Sequence, residues 1–170
     1  MDDVDLKLLT TRHKKLVQEF NCGVVSVNSF LQDHALNYGK NGEAKTHLIL
    51  DKQNKRLIGY FSIKCSSIKI EPPITPHPRM IPSIEISWFG VSIDYQNLGF
   101  GKKILSYIID FINKLKKKKL GVRLISLFAI PNVVNFYEKI GFNKATEDVE
   151  IFCNPGNEGC IPMFFILPTS

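Results

Sequence analysis

Gln96–Asn97–Leu98–Gly99–Phe100–Gly101 decides how this chain is read, because of what stands on either side of it. Before it, Ile84 to Ile93 is nearly unbroken β-prone apolar sequence, which predicts a buried central strand. After it, Ile104, Leu105, Ile108, Ile109, Ile112 and Leu115 recur at helical spacing and predict a helix from Gly99 to about Lys119. A strand that turns through glycines into a helix is a general way to hold phosphate. The first amides of the helix have no partner within it, and the helix dipole favours negative charge. Gly99 and Gly101 allow close backbone approach and positive φ, while Lys102 and Lys103 add cationic charge. The nucleotide-binding patterns Gly-x-x-x-x-Gly-Lys-Ser/Thr and Gly-x-Gly-x-x-Gly are both absent. Taken alone, two glycines at a helix start are equally at home as local structure.

Outward from the turn, the elements alternate. Val4 to Leu9 reads as a first strand, and Ser26 as the N-cap of a helix to about Tyr38 that buries Val27, Phe30, Leu31 and Leu36. Gly39 and Gly42 end it. Thr46–Leu50 and Leu57–Ile63 read as a hairpin around a polar turn. Five prolines between Glu71 and Pro82 predict a long loop, either functional or a plain crossover. Val122–Ala129 reads as a buried strand, followed by a short helix Asn132–Lys139 capped by Asn132 and stopped by Gly141. Strands near Ala145–Phe152 and Ile161–Leu167 close the series. This order indicates a mixed α+β fold with at least one parallel crossover.

The bulk numbers agree with one domain spanning 1–170, since 170 residues with 44% apolar and 22% charged residues is ordinary globular composition. No apolar run approaches the roughly 18–20 residues that span a bilayer. The acidic start Met1–Asp5 lacks a secretion pattern, so the expected location is the cytoplasm, without membrane association. Cys22, Cys65, Cys153 and Cys160 show no Cys-x-x-Cys spacing and His13, His34, His47 and His77 are scattered, so no metal site is expected. A net charge of +6 suits an anionic ligand, whether nucleotide cofactor or RNA.

Three blocks bring the chain close to a known family: Phe89–Gly90–Val91–Ser92–Ile93–Asp94–Tyr95, Gln96-x-x-Gly99-x-Gly101, and Phe136–Tyr137–Glu138–Lys139–Ile140–Gly141–Phe142. Together they resemble the cofactor half of the GNAT superfamily of N-acetyltransferases. The resemblance implies a central, mostly antiparallel mixed sheet splayed at the fourth strand and flanked by helices. It also implies acetyl-CoA as co-substrate. Backbone groups around Val91, Ser92 and Ile93 would pair with the pantetheine arm. Gln96 and Asn97, with the amides from Leu98 through Gly99, Phe100 and Gly101 to Lys102, would take the pyrophosphate. Where the family often has an Asn seven residues before the tyrosine, this chain has Ile130; Asn132, two residues on, is the substitute weighed here for that contact.

Acetyl transfer needs a neutral amine and a proton for the departing thiolate. Tyr137 is the expected general acid, against a packing role for the same ring. Glu85 lies six residues before Val91, at the spacing of the catalytic glutamate in histone-acetylating members, and is the expected water-mediated base. The alternative for Glu85 is a carboxylate at an exposed edge or in an ion pair. The Val91 amide is expected to stabilise the oxyanion. No cysteine carries a neighbouring feature that would lower its pKa, so direct transfer is expected over an acetyl-cysteine route.

The acceptor is an amine of open identity. Phe20–Asn21–Cys22–Gly23, Val27–Asn28–Ser29–Phe30–Leu31, Ala35–Leu36 and Gly59–Tyr60–Phe61–Ser62 resemble one GNAT subgroup. It includes toxins that acetylate aminoacyl-tRNA and are held by an antitoxin, and stand-alone bacterial members. Lys114, Lys116–Lys119 and Arg123 form the largest basic cluster, which suits an RNA backbone or simply a solvated helix C-terminus. A non-catalytic CoA-binding module stays open, as does a homodimer joined through Ile161–Leu167, which equally reads as an interior strand.

Overall fold

The computed structural model describes residues 4–53, 56–71, 79–151 and 157–168. The chain forms two compact units, Met1–Lys64 with Ile86–Ile104, and Cys65–Glu85 with Leu105–Ser170. Two long strands, β3 (Leu57–Ile70) and β4 (Arg79–Val91), and the helix α4 (Phe100–Lys118) contribute to both.

In the first unit the strand order is β1 (Val4–Leu8), β2 (Lys45–Asp51), β3, β4. β1 and β2 are antiparallel, from Val4 opposite Asp51 to Leu8 opposite His47. β2 and β3 are antiparallel too, with a bulge between Ile49 and Leu50. Short helix α1 (Lys14–Gln18) precedes a longer helical run made of α2 (Val25–Ser29), a π turn (Phe30–His34) and α3 (Ala35–Asn41). The run ends at Gly42, which takes φ +78° as its C-cap. Its apolar stripe presses Phe30, Leu31 and Ala35 into a core with Val17, Phe20, Leu48 and Tyr60. The Phe30 ring stacks on Trp88 at 4.5 Å, and Phe20 meets Tyr60 edge-on at 5.4 Å. Tyr60 carries its hydroxyl inward and donates it to Val27 O at 2.7 Å, so its polar tip is satisfied.

Two glycines let β3 and β4 come together under that aromatic cluster. A Cβ on Gly59 would stand 2.6 Å from Gly90 O, and one on Gly90 would stand 2.9 Å from Val27 and 3.1 Å from Tyr60. Just beyond, Ser92 N–H donates to Ile58 O at 2.8 Å, tying the end of β4 to β3.

The second unit continues the sheet as β3, β4, β5 (Leu124–Ala129), β8 (Ile161–Ile166), β6 (Asn143–Lys144), with β7 (Val149–Ile151) paired antiparallel to the end of β3. β4 and β5 are parallel, and Arg123 N–H donates to Pro82 O where β5 begins. β5 and β8 are antiparallel, from Leu124 opposite Ile166 to Ala129 opposite Ile161. α4 supplies the β4-to-β5 crossover and buries Leu105, Ile108 and Ile112 completely. The short helix α5 (Val134–Glu138) follows β5 through a 3-10 turn, Pro131–Val133. The expected mixed α+β architecture, largely antiparallel with one parallel crossover, is therefore present.

Several local expectations are corrected. Helix α2 begins at Val25 with Val24 as its cap, not Ser26; Asn28 N–H bonds Val24 O and closes the first turn. Gly39 lies inside α3 rather than ending it. β1 stops at Leu8, because Leu9 N–H turns to Thr46 O. β3 runs on past Ile63 to Ile70, since its last three residues find a partner in β7. Pro82 belongs to β4 rather than to a loop. It needs no donor there, and its carbonyl accepts from Arg123. Residues 72–78 of that predicted loop lie outside the described residues, as do Phe152 and Cys153. β4 ends at Val91, and Ile93 starts a 3-10 turn. The strand after Gly121 begins at Leu124, not Val122. The strand expected from Ala145 is confined to Val149–Ile151 in the described residues. β8 is flanked by β5 and β6, the interior position weighed above.

Candidate functional site

The turn between β4 and α4 belongs to the first unit and is built from its own backbone. Asn97 takes φ +59° and Gly99 φ +77°. Nothing lies within 4 Å of where a Gly99 Cβ would stand, so the dihedral, not space, calls for glycine. Left-handed residues in such a turn curl successive amides toward one side, as in anion-binding nests. The first backbone bond of α4 runs from Lys103 N–H to Gly99 O at 3.2 Å. The amides of Phe100, Gly101 and Lys102 therefore start the helix without a partner inside it. Leu98 is 62% exposed and Lys102 is exposed, so the turn opens to solvent. Phe100 anchors it from below, edge-on to Tyr95 at 5.3 Å, with Lys103 Nζ 5.5 Å from the Phe100 ring centre.

The strand end before the turn is held firmly. Val91 and Ser92 are buried, whereas Ile93 is half exposed. Ser92 N–H is taken by Ile58 O, and Ile93 N–H by Asn21 O at 3.0 Å. The amides of Ser92 and Ile93 thus already have protein partners, which narrows the backbone pairing expected for a pantetheine arm toward Val91. Gln96 points back into the protein: its Nε2 donates to both Cys22 O and Val91 O, each at 2.8 Å. Sequence reasoning grouped Gln96 with the ligand-facing residues and missed this inward role. The signal was present in the neighbouring Asn21–Cys22–Gly23 and Asn28, whose side chains shape the loop that Gln96 reaches.

The second unit holds the two residues expected to move protons. Tyr137 sits on α5, 9% exposed, edge-on to Phe136 at 5.1 Å and to Phe142 at 5.8 Å. Burial pushes its phenol well above the usual tyrosine range, so it holds its proton at neutral pH. The Phe-Tyr-x-x-x-Gly-Phe spacing has a local cause. Tyr137 O accepts from Ile140 N–H and Phe142 N–H, and Gly141 turns the chain at φ +108°. A Cβ on Gly141 would stand 3.2 Å from the Phe165 ring. Glu85, in the middle of β4, is 2% exposed, which removes the exposed-edge reading of that carboxylate. Asn132 is exposed within the 3-10 turn and does not cap it. The cap position is Ile130, with Pro131 as the first turn residue.

The family model described as "Acetyltransferase (GNAT) domain" matches residues 43–144, more than half of the chain and all of β2 through α5. The chain belongs to the GNAT acetyltransferase family. GNAT members use acetyl-CoA. The acetyltransferase is 37% identical over 57 residues to the uncharacterized N-acetyltransferase ycf52 of Pyropia yezoensis, covering 34% of this chain and 30% of that protein. The matching stretch thus spans under a third of that relative's length. Its fold also matches the crystal structure of AtaTR bound with acetyl-CoA, at TM-score 0.78 and 20% identity, covering 98% of this chain and 95% of that one. AtaT complexed with acetyl-methionyl-tRNAfMet matches at TM-score 0.73 and 18% identity, over 88% of this chain and 94% of that one.

The acetyltransferase carries what acetyl-CoA requires at its diphosphate: partnerless helix-start amides, a left-handed glycine and flanking lysines. Among the described residues no cluster of His, Cys, Asp or Glu is arranged to hold a metal ion. None of its described helices is long and apolar enough to cross a membrane.

Proposed function

We propose that this protein is an N-acetyltransferase that moves an acetyl group from acetyl-CoA directly to a primary amine. The observation that carries this reading is the run of free amides opening α4 behind left-handed Asn97 and Gly99, in a chain of a family that uses acetyl-CoA. When bound, acetyl-CoA supplies the thioester acyl group and a thiolate leaving group. The amides from Leu98 to Lys102 bind the diphosphate, and the Val91 amide donates to the thioester carbonyl oxygen. Tyr137 keeps its hydroxyl proton at neutral pH and delivers it to the departing sulfur. Glu85 takes the amine proton through water. Calorimetric titration with acetyl-CoA and thiol release read by DTNB test this. Turnover lost in Tyr137→Phe with binding retained supports the assignment, and unchanged turnover overturns it. A protein that binds acetyl-CoA but releases no thiol with any amine would be a non-catalytic binding module instead.

A second reading is favoured by the fold likeness to toxin structures and by the basic end of α4. There the amine is the amino group of an aminoacyl-tRNA and the partner is an antitoxin. A mutant AtaT toxin bound to the C-terminus of the antitoxin AtaR and acetyl-CoA matches at TM-score 0.75 over 98% of this chain. In the lysine cluster, Lys116 donates to Pro168 O at 2.6 Å, while Lys114, Lys117, Lys118 and Lys119 are exposed and suited to phosphate contact. Inducible expression should then arrest translation, with Tyr137→Phe harmless, and mass spectrometry of charged tRNA should show acetylation. Benign wild-type expression sinks this second reading and leaves a small amine or peptide as acceptor. Homodimerisation, read by light scattering, is proposed alongside it.

A further inference from the structure

We infer that Gln96 is a positioning residue: it locks the Asn21–Asn28 loop onto the end of β4 and sets acetyl-CoA affinity through that loop, without touching the coenzyme. The inference rests on the proposed use of the β4–α4 turn for acetyl-CoA.

The chemistry of the carboxamide makes the case. Cys22 O and Val91 O are carbonyl oxygens and can only accept, so the group facing both of them at 2.8 Å must be the amide nitrogen. That nitrogen has two hydrogens, and both are used. The remaining end of the side chain is a carbonyl oxygen, which a phosphate oxygen repels. Neither end of Gln96 is fit to hold an anion, although the residue opens an anion-binding turn.

What Gln96 holds is a peptide gripped from two sides. From the loop side, Asn28 Oδ1 accepts Cys22 N–H at 2.9 Å, and Asn28 Nδ2 donates to Asn21 Oδ1 at 3.0 Å. Asn21 Oδ1 also accepts Gly23 N–H at 2.9 Å, closing a tight turn in which Gly23 takes φ +82°. From the turn side, Gln96 bonds Cys22 O, and Ile93 N–H donates to Asn21 O at 3.0 Å. The same Gln96 nitrogen fixes Val91 O. The loop, the strand end and the start of the turn thus share one hydrogen-bond unit. Releasing it from either side frees the same Asn21–Cys22 peptide and loosens Val91 and Ile93 together.

A double-mutant cycle on acetyl-CoA affinity, measured by calorimetry without acceptor, separates this role from direct contact. Gln96→Leu and Asn28→Ala should each weaken binding about tenfold, the size of one or two lost hydrogen bonds. The double variant should be no weaker than the weaker single variant, because both substitutions undo one unit. Additive losses approaching a hundredfold in the double variant would mean that Gln96 meets the coenzyme independently, and would overturn the inference. An unchanged Kd in Asn28→Ala would overturn it as well. Asn28→Ala changes only the loop and stands on its own if Gln96→Leu does not fold. Wild-type protein that fails to bind acetyl-CoA would instead refute the proposed function.

Discussion

Adding one methyl group at each of three glycines should change stability in three different ways. Alanine at Gly59 places its Cβ 2.6 Å from Gly90 O and 3.4 Å from both Val91 Cα and Ile104 Cδ1. A backbone oxygen cannot swing away as a side chain would, so β3 and β4 must part by several tenths of an ångström. Overpacking of this kind costs about 1–3 kcal/mol, and the backbone contact puts Gly59→Ala at the upper end. For a chain of this size each kcal/mol lowers Tm by about 2–4 °C, so the expected loss is roughly 6–12 °C. At Gly99 the added Cβ meets nothing, and only the +77° dihedral resists. That costs about 1–2 kcal/mol, or roughly 2–8 °C. At Gly39, inside α3, the nearest atom is Ala44 O at 3.9 Å. Alanine there should stabilise by about 0.5–1 kcal/mol through helix propensity, raising Tm by roughly 1–4 °C. Thermal unfolding followed by circular dichroism reads all three. Gly59→Ala melting at or above the wild-type temperature would refute the close approach of β3 and β4. A lowered Tm in Gly39→Ala would refute the helical assignment of that glycine.

Other perturbations give separate readouts. Tyr137→Phe should lower kcat by about 10²–10⁴-fold, as loss of a general acid does, with acetyl-CoA Kd within about twofold, checked by DTNB kinetics beside calorimetry. Tyr60 and Tyr137 both have folded-state pKa values raised by burial, with Cys22 adding to the shift at Tyr60. Their stabilisation is complete below the unfolded tyrosine pKa near 10 and is lost as pH rises above it. Urea midpoints should therefore stay level through about pH 9 with respect to these groups and fall beyond about pH 10, less steeply in Tyr137→Phe. Cys65 is exposed, whereas Cys22 is buried and its thiol pKa is raised by desolvation. DTNB should thus label Cys65 in the native protein and reach Cys22 only after denaturation; equal rates would contradict the packing of the Asn21–Asn28 loop.

The parts legible in the sequence are those governed by local pattern. The apolar repeat of α4, the Gly99 turn and the Phe136–Phe142 block each carry their geometry within a few residues. What escaped depends on partners far along the chain. β3 reaches Ile70 because β7 pairs with it some eighty residues later. Pro82 sits in a strand because Arg123 meets its carbonyl. Gln96 looked like a ligand-facing residue because nothing in its neighbourhood announces that Cys22 O lies within 2.8 Å. The burial of Glu85 likewise comes from neighbouring strands, not from the isoleucines that flank it in sequence.

The π turn at Phe30–His34 has a meaning for how this segment tolerates insertion and deletion. A single π turn is an α-helix with one residue too many. Removing one residue there would leave a regular helix of good local geometry. It would also rotate everything after it by about 100° relative to everything before. Ala35, now 1% exposed, would leave the core while Phe30 and Leu31 stayed in it. Single-residue length changes in this segment are therefore penalised by the core even where the helix itself would improve, so the extra residue, once acquired, is locked in by the packing on either side of it.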